Sequence, residues 1–73
     1  MQVADFFMDE CKRICTGHDF AVAVLTDKVE DFIKNNIDDL HKKAVEKFPS
    51  LSSEALKIAS EKSLQISCNA MKG

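Results

Sequence analysis

The stretch LTDKVEDFIKNNIDDLHKKAVEKF, residues 25–48, decides the fold of this chain. Its apolar side chains recur every three or four residues, and charged side chains fill most positions between them. This spacing puts the apolar residues on one face of an amphipathic helix. The apolar stripe consists of Leu25, Val29, Phe32, Ile33, Ile37, Leu40, Ala44, Val45 and Phe48.

The helix that carries this stripe is predicted to begin before it. The apolar run FAVAVL, residues 20–25, follows Asp19, whose carboxylate can act as an N-cap, and Thr26 offers an alternative start. The pair Asn35-Asn36 is the favoured interruption because asparagine is a mediocre helix former. The stripe stays in phase across this pair, so residues 19–48 are predicted to form either one long or kinked helix or two helices.

Two further helices are predicted on either side. The first covers residues 3–16 and ends at Gly17, which is expected to adopt the left-handed conformation that closes helices. Pro49 ends the second helix, and Ser52 is expected to cap a third over residues 53–70. From Leu64 onward apolar residues alternate, a pattern more typical of a strand. The sequence therefore predicts an all-α bundle of three helices, or four if the second is broken.

The size and composition of the chain limit its class. Its 73 residues are expected to form a single helical domain, residues 1–73, of marginal stability as a monomer. The formal net charge of −2 disfavours a dedicated nucleic-acid binder. No apolar run reaches the roughly 20 residues of a membrane helix, and MQVAD at the start lacks a basic leader. The odd cysteine count does not resemble a secreted disulfide scaffold, so we expect a cytoplasmic protein.

Three cysteines and a histidine form one candidate metal site. Cys11 and Cys15 lie four residues apart on one helix face, His18 follows that helix, and Cys68 can complete a tetrahedron. Structural zinc sites usually place paired ligands two residues apart on a turn, however. Both cysteines also lie within an apolar stripe, where cysteine commonly serves as a small buried hydrophobe. We therefore expect no metal, and keep zinc as a second alternative.

A helix-turn-helix is the first alternative function. The join at residues 48–52 connects two helices, and the third helix would be the recognition helix, with Ser53 and Gln65 near base edges. Interleaved acidic residues offset most of the basic charge, which favours an ordinary helical hairpin with solvated lysines. Nucleic acid is therefore an improbable partner, and the residues that would contact it are Lys42, Lys43, Lys47, Lys57 and Lys62.

The sequence offers little support for catalysis. The chain has two histidines and two glycines, and neither a phosphate-binding loop nor a calcium loop is present. His41 is a lone histidine between Leu40 and Lys42 on a helix, at the edge of the apolar stripe, a position typical of a surface residue. We therefore expect a protein that is not an enzyme, without a cofactor or a small-molecule substrate.

The remaining hypothesis is association with a protein partner. A helix that begins at Asp19 is apolar all round in its first turns and must be buried on several sides. A second copy of the chain or a partner helix would cover it, unless the first helix folds over it. We therefore expect a non-enzymatic interaction or regulatory protein, a homodimer, whose partner-binding residues are Phe6, Phe7, Met8, Phe20, Val22, Val24 and Leu25.

Overall fold

The computed structural model describes residues 2–72, and within them every regular element is a helix. The prediction of an all-α fold is confirmed, in its four-helix form. The molecule is elongated, with extents of 39 × 19 × 16 Å. The four helices are α1 (Val3–Cys15), α2 (His18–Leu25), α3 (Val29–Lys47) and α4 (Ser53–Lys72).

The break that produces the fourth helix lies at residues 26–28, so the predicted interruption at Asn35-Asn36 is wrong. Asp27 adopts the left-handed conformation, with φ of 57°. The Lys28 N–H donates to the Ala23 carbonyl at 2.8 Å, and the Asp27 N–H donates to the Val24 carbonyl at 3.3 Å. These two bonds are the Schellman pattern, here with aspartate in the place that glycine usually takes. At Asn36 the side-chain amide donates to the Phe32 carbonyl at 2.8 Å, and α3 continues.

The ends of the first two helices also differ from prediction. Gly17 has φ of −80° and is the N-cap of α2, so it is not left-handed and Asp19 is not the cap. Threonine hydroxyls satisfy the carbonyls at both helix ends, Thr16 bonding Lys12 at 2.7 Å and Thr26 bonding Val22 at 2.8 Å. Thr26 therefore ends α2 and begins no helix. The predicted cap at Ser52 is confirmed by its hydroxyl, which accepts from the Ala55 N–H at 3.4 Å.

The last helix runs without interruption to Lys72, so the strand-like alternation after Leu64 does not describe the local structure. The fully buried residues recur every fourth position, at Ser60, Leu64 and Cys68, while Ile66 between them is exposed. The alternation arises because α4 carries a second apolar face that the core does not cover.

The core forms where α3 packs against α4, α1 packs against α4, and α2 packs against α3. Three edge-to-face aromatic pairs hold the smaller helices in place. Phe6 contacts Phe48 at a centroid distance of 5.4 Å, and Phe20 contacts Phe32 at 5.5 Å. The third pair joins Phe6 and Phe7 at 5.3 Å. The aromatic residues of the α3 stripe therefore bind α1 and α2, and such pairs contribute about 0.5–1.5 kcal/mol each beyond their buried area.

Candidate functional site

All three thiols of the chain meet between α1 and α4. Cys11 and Cys15 share the inward face of α1 because they are four residues apart, and Cys68 approaches them from α4. The three side chains are buried and carry free thiols. The Sγ atoms of Cys15 and Cys68 are 2.9 Å apart, within hydrogen-bonding distance, although 53 residues separate them in the chain.

Burial sets the chemical state of two of these thiols. Desolvation raises the pKa of the Cys11 thiol, an effect that the neighbouring Ser67 hydroxyl partly offsets and the nearby Cys15 reinforces. Desolvation, followed by the hydrogen bond with Cys15, raises the pKa of the Cys68 thiol strongly. Both groups therefore stay protonated at neutral pH, and a protonated thiol is a poor nucleophile and a poor metal ligand.

A shallow apolar groove runs along the outer edge of the α1–α4 contact, directly over these thiols. It consists of two adjoining cavities of about 270 and 390 Å³ that share Met8 and Ser67. The side chains that protrude furthest beside it are Met8 at 70%, Ile66 at 70% and Met71 at 56% exposure. We call this surface the α1–α4 groove; its lining residues are Ala4, Phe7, Met8, Asp9, Cys11, Lys12, Cys15, Thr16, Ser63, Ile66, Ser67, Ala70 and Met71.

The seven residues predicted to bind a partner do not form one surface. Phe6, Phe7 and Phe20 are buried in the core of the single chain, where Phe32 and Phe48 pack against two of them. Val24 is half-buried at the edge of the same core. The exposed members are Met8, which lies in the α1–α4 groove, and Val22 and Leu25, which lie on α2. The single chain therefore covers its own phenylalanines, and the aromatic partner of Phe20 is Phe32 on α3 and not a residue of the first helix.

The four zinc candidates are only partly brought together. Cys11, Cys15 and Cys68 are neighbours, whereas His18 is exposed and lines a different cavity, together with Phe32 and Asn36. Among residues 2–72, no three His, Cys, Asp or Glu side chains form a group that could hold a metal ion.

The lysines predicted to contact DNA are exposed on α3 and α4. Lys43 and Lys47 share a shallow cavity with Glu10 and Glu46, and the Lys43 Nζ atom lies 3.7 Å from a Glu10 carboxylate oxygen. Lys42, Lys57 and Lys62 have no ion pair within the described part of the chain. Glu10 of α1 and Glu46 of α3 therefore offset part of the positive charge around Lys43 and Lys47.

His41 contacts Ser53, one of the two polar residues that the DNA-binding hypothesis places near base edges. The His41 Nε2 atom lies 2.9 Å from the Ser53 carbonyl oxygen and 3.1 Å from the Ser53 hydroxyl. This contact joins α3 to the first residue of α4. Gln65, the other such residue, is exposed beside the α3–α4 contact.

Sequence reasoning missed Ile66, Ala70 and Met71 as members of the exposed surface. The apolar alternation after Leu64 was the available signal, because on a helix it implies apolar residues on two faces.

The fold and site together define a small four-helix protein with a buried thiol cluster beneath an open apolar groove. Comparison of the chain with protein-family models, with curated proteins and with solved structures finds no match. No helix within residues 2–72 is long and apolar enough to cross a membrane.

Proposed function

We propose that this chain is a non-enzymatic interaction protein that associates with a second copy of itself through the α1–α4 groove. The observation that carries the proposal is the cluster of Met8, Ile66 and Met71, three large apolar side chains each more than half exposed along one groove. Grouped apolar side chains of this kind mark interaction surfaces, whereas a single exposed one needs no explanation. Methionine also suits such a surface, because its flexible side chain adapts to an opposing shape.

The total surface of the chain supports association. Its accessible area is 5103 Å², whereas a folded monomer of its 8.2 kDa mass is expected to expose about 4,500 Å². The difference of about 600 Å² approaches the roughly 800 Å² that each partner contributes to a standard interface. An elongated chain of this size gains stability when that extra surface is covered.

The charges beside the groove favour a second copy over an unrelated strongly charged partner. Asp9 and Lys12 lie at its edge, three residues apart on α1, and carry opposite charges. In a two-fold symmetric interface the same patch meets itself, so Asp9 of one protomer can approach Lys12 of the other. Such pairs contribute to the correct orientation more than to affinity.

Analytical ultracentrifugation tests this proposal directly. We expect a mass above 8.2 kDa within a concentration range of about 1 μM to 1 mM, where weak dimers dissociate. The change Ile66→Asp should raise the dissociation constant at least about 30-fold, because it places a carboxylate in each half of the interface.

Leu25→Asp is the matched control, because Leu25 is 86% exposed and lies on α2, away from the groove. It should leave the dissociation constant unchanged. A chain that stays monomeric over the whole range would overturn the proposal. The proposal would also be overturned if the Leu25→Asp variant dissociated and the Ile66→Asp variant associated fully. That result would place the interface on α2.

A further inference from the structure

The Cys15–Cys68 contact differs from ordinary packing of buried cysteines, because the two sulfur atoms already lie in direct contact. Their separation of 2.9 Å exceeds a disulfide bond length of about 2.05 Å by less than 1 Å. Cys15 is the last residue of α1, and Cys68 lies near the end of α4. Both therefore lie close to helix ends, where a small backbone shift disturbs few hydrogen bonds.

The two thiols differ in their access to solvent. Cys15 lines the cavity of about 390 Å³ in the α1–α4 groove, whereas Cys68 is not among the residues that line it. Cys68 has no measurable exposure. Of the two residues whose sulfurs are in contact, Cys15 therefore lies on the groove side and Cys68 behind it, and Cys11 lines the same cavity.

We propose that Cys15 and Cys68 form an intramolecular disulfide when the chain meets a hydroperoxide, so that the floor of the α1–α4 groove is a redox modification site.

In the first step the Cys15 sulfur, as thiolate, attacks one peroxide oxygen. The O–O bond breaks, the leaving oxygen takes up a proton, and a sulfenic acid and one water form, for hydrogen peroxide. In the second step the Cys68 thiol passes its proton to the sulfenic hydroxyl oxygen as its sulfur attacks the Cys15 sulfur. The S–O bond breaks, the S–S bond forms, and the oxygen leaves as a second water. Two thiols lose two electrons in total, and one peroxide gains them.

The cross-link changes the chain in a measurable way. It joins α1 to α4 and closes a loop that contains all of α2 and α3. Closing so long a loop restricts the unfolded chain and stabilises the folded one. Cys15 lines the groove and Cys68 does not, so Cys15 is the better placed of the two to meet the peroxide first. The proposal does not depend on association, since both sulfur atoms belong to one protomer.

The test uses the full chain, reduced, dilute and then exposed to hydrogen peroxide. We expect the mass of the single chain to fall by about 2 Da, since two thiol hydrogens are lost. Proteolysis without reductant should give a peptide that links Cys15 to Cys68. The melting temperature should rise by about 10 °C or more, and dithiothreitol should reverse the change.

Three variants assign the reacting sulfurs. Cys11→Ala should still form the link and is the matched control, because Cys11 is an equally buried thiol one helical turn away. Cys68→Ala should stop at a sulfenic acid on Cys15, detectable with a dimedone probe, and Cys15→Ala should give no monomeric disulfide. The link should also form at chain concentrations below the dissociation constant for association, because both sulfur atoms belong to one protomer.

The peptide map of the wild type needs no variant to fold and is decisive by itself. A link between Cys11 and either other cysteine, a link only between chains, or over-oxidation of Cys15 without any disulfide would overturn the proposal.

Discussion

The two faces of α4 contain similar residues and have opposite environments. On the inner face Leu56, Leu64 and Cys68 are at most 2% exposed, and they pack against α1 and α3. On the outer face Ile58 and Ile66 are at least half exposed. Leu64 and Ile66 differ by two positions in the sequence and by 70 percentage points in exposure.

This difference shows that apolar content and contribution to the fold are separate properties. The inner face stabilises the monomer, because its side chains leave water when the chain folds. The outer face contributes little to the monomer and leaves its apolar area available for a partner. The core alone can cover a helix that has one apolar stripe. Because α4 has two apolar stripes, a second surface is needed to cover the stripe that the core leaves exposed.

Truncation of one residue on each face tests this comparison most strongly. Leu64→Ala should lower the free energy of unfolding by about 3 kcal/mol, since it removes a fully buried side chain and leaves a cavity. Ile66→Ala should change it by less than about 0.5 kcal/mol. Urea unfolding followed by circular dichroism, at a chain concentration low enough for the monomer to dominate, measures both. Equal losses from the two variants would contradict the assignment of the faces.

Alkaline pH tests the inner face through its thiols. The folded chain raises the pKa of Cys11 and Cys68, so above the ordinary thiol pKa of about 8.5 the unfolded chain holds fewer protons than the folded one. Stability contributed by the protonated thiols is complete below that pH and is lost above it, by at most about 1.4 kcal/mol per pH unit for each thiol.

The measurement compares the free energy of unfolding at pH 7 and pH 10, with reductant present. Cys68→Ala should lose less between the two pH values than the wild type, whatever its stability at pH 7. An identical loss in both proteins would show that other groups, such as the lysines, cause the alkaline destabilisation.

The helical class and most helix ends follow from local patterns. The apolar spacing of residues 29–48 persists through Asn35-Asn36, and the in-phase stripe describes α3 better than the propensity of two asparagines. Pro49 and Ser52 mark the next boundary because the proline ring restricts the backbone before it and the serine hydroxyl caps the helix that follows. The break at Asp27 has no such marker, since an aspartate in the left-handed conformation is unusual and aspartates occur at many helical positions.

The site was less accessible to prediction because it depends on packing between distant segments. The shared face of Cys11 and Cys15 follows from their spacing, but the contact with Cys68 requires knowledge of how α1 lies on α4. The burial of Phe6 and Phe20 likewise depends on Phe48, which directly follows α3, and on Phe32, which lies on α3. Periodicity identifies an apolar face and does not identify what covers it.

The last contrast on α4 concerns Ser60, the one fully buried polar residue among the described side chains of its inner face. Its side chain is fully buried, and its hydroxyl donates to the Leu56 carbonyl at 2.7 Å, within the same helix. The Leu56 carbonyl already accepts a backbone hydrogen bond within the helix, so the additional bond from the Ser60 hydroxyl adds little stability. Serine at this position is therefore explained by its size, which the close packing of α4 in the core limits.

Ser60→Ala should raise the free energy of unfolding by about 0.5 kcal/mol, because alanine is the better helix former and buries no hydroxyl. Ser60→Val should lower it by about 1–3 kcal/mol, because the added methyl groups have no space in the core. Urea unfolding of the two variants separates the effect of the hydroxyl on stability from the effect of side-chain volume at position 60. If the valine variant were as stable as the alanine variant, the inner face would be packed less tightly than its burial indicates, and the contrast with the outer face would weaken.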